Sequence, residues 1–171
     1  MHSQTAKLNF LFIIGTLTTA SKATHADNIN TAGTTCHILT GAQALDISYS
    51  GGAIFNLSAQ DRTVECPIPR SPLITSTNPT FFIDGSNAPN TSTNCTVTMA
   101  SPDLTAFSQQ GFTESTPATS TSFRAWHHSV TLPIPASSSQ SWHAYVQCTL
   151  PGIQPSGTGP KSFINSVTSL Q

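Results

Sequence analysis

From residue 142 to residue 150 the chain alternates: Trp142, Ala144, Val146 and Cys148 are separated by His143, Tyr145 and Gln147. A period of two sends successive side chains to opposite faces of an extended strand, and it does not fit the 3.6-residue repeat of an amphipathic helix. The same period recurs in short stretches, and no stretch carries a strong helical repeat. Candidate strands are 44–49, 53–57, 62–66, 80–84, 94–100, 122–132, 142–150 and 162–168. Gly51-Gly52 predicts a hairpin between the first two. Asp84-Gly85-Ser86-Asn87 reads as a turn, because glycine and asparagine tolerate positive φ. Short strands separated by turns predict an all-β fold, an antiparallel β-sandwich or jelly-roll-like domain. Two stretches read as surface loops: 101–122, rich in Ser, Thr and Gln with Pro102 and Pro117, and 151–160, with Gly152, Gly157 and Gly159. The first either holds a helical turn around Leu104 or is a mobile loop near a ligand site.

The N-terminus reads as an address rather than as part of the fold. Lys7 precedes an apolar run over 8–17 containing Phe10, Leu11, Phe12, Ile13 and Ile14, followed by small polar residues without acids. This is the pattern of a secretory signal peptide over 1–26, with small residues placed for cleavage after Ala23 or Ala26. The run is about half the length of a membrane span, and nothing downstream approaches it, so no transmembrane segment is expected. Residues 27–171 are then one β domain, secreted or periplasmic. Cys36 lies too far beyond the apolar run for a lipoprotein signal.

Charge excludes several partners. Charged residues are only 8% of the chain, against roughly a quarter in an ordinary soluble protein. Beyond residue 26 only Arg62, Arg70, Arg124 and Lys161 are basic, against seven acids. Such a surface offers no basic stripe to neutralise phosphates, which argues against nucleic acid and against anionic membranes.

All four cysteines, Cys36, Cys66, Cys95 and Cys148, fall in the exported part, and an oxidising compartment makes two disulfides the expected state. None forms a Cys-x-x-Cys pair, so zinc and redox motifs have no support. Of the three pairings open, Cys36–Cys66 and Cys95–Cys148 are favoured. Cys66 and Cys148 each end an apparent strand with proline following, so both leave the sheet at comparable places.

The early Cys36, the Val64-Glu65-Cys66-Pro67-Ile68 segment, Cys95 with Thr96, the segment from Tyr145 through Cys148 to Pro151, and a short terminal strand together resemble a loose group of uncharacterised secreted bacterial proteins. The resemblance implies a disulfide-linked β fold and bacterial secretion, and it brings no site residues. Asn56-Leu57-Ser58, Asn90-Thr91-Ser92 and Asn94-Cys95-Thr96 match the glycosylation pattern, which has no meaning in a bacterial host, so no glycans are assigned.

The chain has no Gly-x-Ser-x-Gly elbow, no His-Glu-x-x-His, no P-loop and no calcium loop. Glycoside hydrolysis would need a carboxylate pair assembled in space from Asp46, Asp61, Glu65, Asp84, Asp103 and Glu114. One local cluster stands out: Trp126-His127-His128 and Trp142-His143-Ala144-Tyr145 sit on successive strands, read here as a hairpin. Alternation points Trp142 inward and His143 and Tyr145 outward. It also separates His127 from Trp126 and His128, so that His127 is expected near His143 or Tyr145. His127, His143 and Tyr145 are therefore the candidate binding residues. An ordinary half-exposed sheet surface is the plain alternative, metal binding lacks a third ligand, and sugar stacking on the aromatic face is the sharper option.

The sequence therefore predicts an exported, non-catalytic binding or interaction protein without cofactor, whose partner is a glycan or a protein at a cell surface. The alternatives are a secreted hydrolase with dispersed site residues and a structural subunit of a surface assembly. The tail lacks the penultimate aromatic expected of chaperone-assembled pilins.

Overall fold

A computed structural model of the chain describes residues 28–70, 76–135, 142–153 and 161–171. The expected export signal lies outside the described residues, as does the 154–160 part of the second polar loop. The described chain is built from eleven strands: β1 (Asn28–Ala32), β2 (His37–Ile38), β3 (Ile47–Ser50), β4 (Ala53–Asn56), β5 (Arg62–Ile68), β6 (Thr80–Asn87), β7 (Ser92–Ala100), β8 (Phe107–Ser115), β9 (Arg124–Thr131), β10 (His143–Leu150) and β11 (Phe163–Leu170). They form two antiparallel sheets. The six-stranded sheet runs β3-β4-β11-β6-β9, with β1 also paired to β11, and the five-stranded sheet runs β2-β5-β10-β7-β8. No helix among the described residues is long and apolar enough to cross a membrane.

The alternation read from the sequence is what builds the space between the sheets. Val64, Cys66, Val97, Met99, Ala144, Val146 and Cys148 point inward from the five-stranded sheet and meet Ile54, Phe81, Ile83, Trp126, Val130, Ile164 and Val167 from the other in one buried cluster. Interdigitating inner faces of this kind define a β-sandwich. Burying such side chains stabilises by about 1.5–3 kcal/mol each relative to exposure. Both expected disulfides lie in this layer. Cys36 bonds Cys66, and Cys95 bonds Cys148, which is its direct cross-strand partner. The Gly51-Gly52 turn is also as expected, with φ of 58° and 86°, the two positive values that a tight two-residue hairpin between β3 and β4 demands.

Four local readings are corrected by the structure. Residues 44–46 belong to a short 3-10 turn (Gly41–Asp46), and the strand begins only at Ile47. Leu45, which gave the false alternation, is 94% exposed. Asp84-Gly85-Ser86-Asn87 is no turn but the second half of β6. Gly85 is required there for space, because a Cβ on it would meet the Trp126 ring at 2.3 Å. The polar stretch 101–122 is neither a helical turn nor a loop throughout: it contains β8, nine residues long, pairing with β7 from Ser92–Ser115 to Ala100–Phe107. Its inward side chain Phe112 packs on the core, which is the anchor that the polar composition concealed.

β9 and β10 are not a hairpin. β9 is an edge of the six-stranded sheet on β6, whereas β10 lies inside the five-stranded sheet between β5 and β7. Trp126 and Trp142 nevertheless both reach the shared core, one from each side.

Candidate functional site

The crossing splits the expected patch in two. His143 and Tyr145 stand on the outer face of the five-stranded sheet, with rings 6.3 Å apart, while His127 stands on the outer face of the opposite sheet. The structure brings together the first two and separates the third from them.

The face around Tyr145 is set by register. Because side chains alternate and paired residues share a face, Tyr145 is flanked by Pro67 on one side and by Thr98 and Gln109 on the other. The row below it holds Glu65, Gln147 and Thr96, and the row beyond that Thr63, Thr149, Asn94 and Thr113. The polar groups are mutually ordered. Gln147 donates from Nε2 to Glu65 Oε2 at 2.9 Å, the Thr63 and Thr149 hydroxyls share a hydrogen bond of 3.1 Å, and Thr113 donates to Asn94 at 2.7 Å. His37 sits 3.8 Å from the Glu65 carboxylate at the far edge. At the top of the sheet a shallow hollow of about 220 Å³ is lined by Thr98, Ala100, Leu104, Phe107, Gln109 and Tyr145. Phe107 and Leu104 rim it and are 62% and 67% exposed. Leu104 is held out by the turn that links β7 to β8: its N–H bonds the Ser101 carbonyl, and its φ is +57°. Asp103 fastens the same turn by accepting from the Ser101 hydroxyl and the Thr105 N–H, and these two bonds hold its carboxyl below the usual aspartate range.

The arrangement is an aromatic and apolar rim above a grid of amides and hydroxyls, with no lysine or arginine in any of these rows. Rings of this type stack on apolar ligand faces, and ordered amides and hydroxyls supply directional donors and acceptors. Phe107, Leu104 and Gln109 were invisible as site residues in the sequence, because they lie in the stretch read as a loop. Gln147 and Glu65 were within reach, since both follow from the period-two alternation and the pairing of two cysteine-bearing strands.

On the opposite face, His127 Nδ1 meets Asp84 Oδ1 at 2.6 Å, and Ser166 donates to Asp84 Oδ2 at 2.7 Å. The three are direct cross-strand neighbours on β9, β6 and β11. The His127 ring also stacks on Phe82, 5.3 Å between centroids. His128, on the inner side of β9, instead stacks on Phe112 at 3.8 Å and contacts Glu114 at 2.8 Å.

Each of the six acids that a dispersed hydrolase would have to pair meets a different, non-acidic partner. Asp46 holds Arg62, Asp61 the Gly152 N–H, Glu65 Gln147, Asp84 His127, Asp103 Ser101 and Glu114 His128. Among the described residues no group of three or more His, Cys, Asp or Glu could hold a metal ion. Of the three glycosylation-pattern asparagines, Asn56 is fully buried and donates to the Gln60, Leu150 and Pro151 carbonyls, a structural role that leaves no amide free.

No protein-family model matches the chain, and no sequence among the curated proteins matches it. Solved structures with a similar strand arrangement include the cycloalternan-forming enzyme of Listeria monocytogenes (15% identity, TM-score 0.38, covering 72% of this chain and 10% of that one). Others are the isomalto-dextranase of Arthrobacter globiformis T6 (15%, 0.42, 87% and 24%) and the GH26-CBM35 β-(1,4)-mannanase of Podospora anserina (14%, 0.39, 85% and 28%). The chain thus spans between a tenth and 28% of the length of these proteins. At these scores the similarity carries no functional weight.

Proposed function

We propose that the protein is an exported, non-catalytic carbohydrate-binding module that takes neutral glycan chains across the outer face of its five-stranded sheet. The observation that carries this reading is the face itself: Phe107 and Leu104 form an exposed apolar rim beside the half-buried Tyr145, over ordered rows of Gln, Asn, Thr and a single carboxylate without any cation. A pyranose presents an apolar ring face and a girdle of hydroxyls, so it calls for this combination, whereas an anionic polymer calls for lysine and arginine. Two further observations agree. The two disulfides suit an oxidising compartment, and the engagement of every candidate acid with its own partner favours binding over hydrolysis.

Affinity electrophoresis through gels cast with a panel of neutral polysaccharides (dextran, glucomannan, xylan, starch and β-glucan) tests the reading. Retardation by at least one polymer, strongly weakened in Tyr145→Ala and reduced in Gln147→Ala, is the expected result. Migration unaffected by every polymer, or retardation that survives Tyr145→Ala unchanged, overturns it.

A further inference from the structure

The six-stranded sheet carries a second hollow, far from Tyr145. It is an open depression of about 590 Å³ over the outer face of β6, β9 and β11. Its origin lies in the side chains that share one row. Phe163 pairs with Ser86, and Ser86 with Ala125, so two small side chains form a floor beside a large ring. The next row, Ser166, Asp84 and His127, forms one wall. Phe163 forms the other, backed by Phe55 at 4.9 Å and by the half-exposed Phe123 at 6.0 Å. The register of β11 shifts between Ile164 and Ser166, and this bulge turns Asn165 to the rim of the depression. Bulges re-aim side chains in this way, often beside functional sites.

The wall is chemically directed. Asp84 is an acceptor with both oxygens engaged, so the His127 Nδ1 that meets it carries the proton. In the neutral ring Nε2 is then left as a lone-pair acceptor. That ring is 61% exposed in its side chain, yet fixed from two sides by Asp84 and Phe82. A surface histidine kept only for solubility has no need of either restraint. Trp126, at the inner margin of the same depression, has a buried indole N–H with no hydrogen-bond partner among the described residues, a donor the fold leaves unused. No lysine or arginine lines the depression, and its single carboxylate is already satisfied, so neither an anion nor a cation is called for.

We infer that this depression is a second ligand site, for a single neutral pyranose. The ring stacks on Phe163, one hydroxyl donates to His127 Nε2, and Asn165 supplies an amide to its neighbour. The site lies on the opposite face from Tyr145 and does not depend on the glycan platform proposed above. A protein with both sites is bivalent, able to hold a chain on one face and a terminal sugar on the other.

The test is a ¹H–¹⁵N correlation titration of the ¹⁵N-labelled protein with D-glucose, D-galactose, D-mannose and N-acetyl-D-glucosamine in turn. At least one of these sugars is expected to shift the backbone signals of Ala125, His127 and Asn165. Those shifts should vanish in Ala125→Tyr, which fills an exposed position without disturbing the core, and should need about tenfold more sugar in His127→Ala. They should persist in Tyr145→Ala. The proposal is overturned if none of the four sugars moves these signals, if Ala125→Tyr leaves the shifts intact, or if Tyr145→Ala abolishes them. Failure of the platform on the other face would show separately, as unchanged signals of Tyr145, Gln147 and Thr98 with polysaccharide fragments.

Discussion

All four cysteines lie in or beside the five-stranded sheet, where they tie β10 to β7 and the segment before β2 to β5. The six-stranded sheet has no covalent tie among its described strands and is fitted together by close approach instead. Gly85 sits under the Trp126 ring, and a Cβ on Gly33 would come within 2.2 Å of the Ile164 carbonyl oxygen. The outer faces differ in the same sense. The stapled sheet keeps a continuous register from β5 through β10 and β7 to β8, and it presents flat rows of polar groups. The unstapled sheet has a bulge in its central strand and a depression beside it. The comparison teaches that regular pairing makes an extended platform, suited to a chain, whereas one irregularity over small side chains makes a pocket suited to a single ring.

The largest effects should come from removing the staples. On the loop-closure model, opening Cys95–Cys148, with a sequence separation of 53, should cost about 4 kcal/mol. Opening Cys36–Cys66, with a separation of 30, should cost about 3.5 kcal/mol. Urea denaturation of Cys95→Ala/Cys148→Ala checks this, followed through Trp126 and Trp142 separately in single Trp→Phe backgrounds. Because the two rings lie in one buried cluster, the transitions should coincide even though only one sheet has lost its bond. Transitions that separate would break the comparison, by showing that the sheets unfold independently.

Next in size is a lesion in the unstapled sheet. Gly85→Ala places a methyl group 2.3 Å from Trp126 Cζ2 and 2.7 Å from the Phe163 carbonyl oxygen, so the ring must move. Overpacking of this kind should cost about 2 kcal/mol. Pairing it with Trp126→Phe, a smaller ring, should recover part of the loss in a double-mutant cycle. Gly33→Ala has no such rescue, because the atoms it meets are backbone. If the Gly85→Ala loss is unchanged in the Trp126→Phe background, the Trp126 ring is not what Gly85 makes room for.

The legibility of the sequence follows the same division except at the edge strand β8. The inward residues of β5, β7 and β10 alternate, with one cysteine in each strand, so the core of the stapled sheet and the outward position of His143 and Tyr145 could be read locally, whereas the disulfide pairs were one choice among three. The unstapled sheet was harder. β6 contains Asp84-Gly85-Ser86-Asn87, whose composition says turn, and only the distant Trp126 explains why the chain stays extended. The stapled sheet has one exception at its edge: β8 has a single large inward anchor, Phe112, among Ser, Gln and Gly, and its strand exists because β7 offers a pairing edge, which is tertiary information. The misplacement of His127 has the same root. Alternation told which face of its own strand each histidine occupies, but not which sheet the strand joins, because that is set by pairing with strands distant in sequence, β6 for β9 and β5 and β7 for β10.

On the platform, Tyr145→Ala should weaken binding of a retained polysaccharide by about tenfold, equivalent to about 1.4 kcal/mol. It should lower folding stability by no more than about 1 kcal/mol, since Tyr145 stands on the outer face and its truncation opens no cavity in the core. A urea curve measured beside the gel assay separates the two effects. A large loss of stability with binding intact would mean that the ring is structural, and the flat face would no longer be the binding half of the comparison.

The smallest effect sharpens how the platform's rim is held. Asp103 has its carboxyl pKa lowered, first by the Ser101 hydroxyl and then by the Thr105 N–H, and both bonds close the turn that presents Leu104. A carboxylate whose folded pKa lies below its unfolded value contributes stability that is complete above the unfolded value and is lost as pH falls through the folded one. The turn should therefore loosen only in acid, below the ordinary aspartate range near 3.8. A ¹³C-detected titration of the Asp103 carboxyl should show a midpoint below that of a model peptide, and Ser101→Ala should move it upward. The Leu104 amide should shift with the same midpoint, because its N–H bonds the Ser101 carbonyl. Leu104→Gly complements this from the backbone side: it relieves a left-handed φ of +57° while removing the rim. It should hold or raise stability and still weaken retention by polysaccharide, which a merely structural turn would not do.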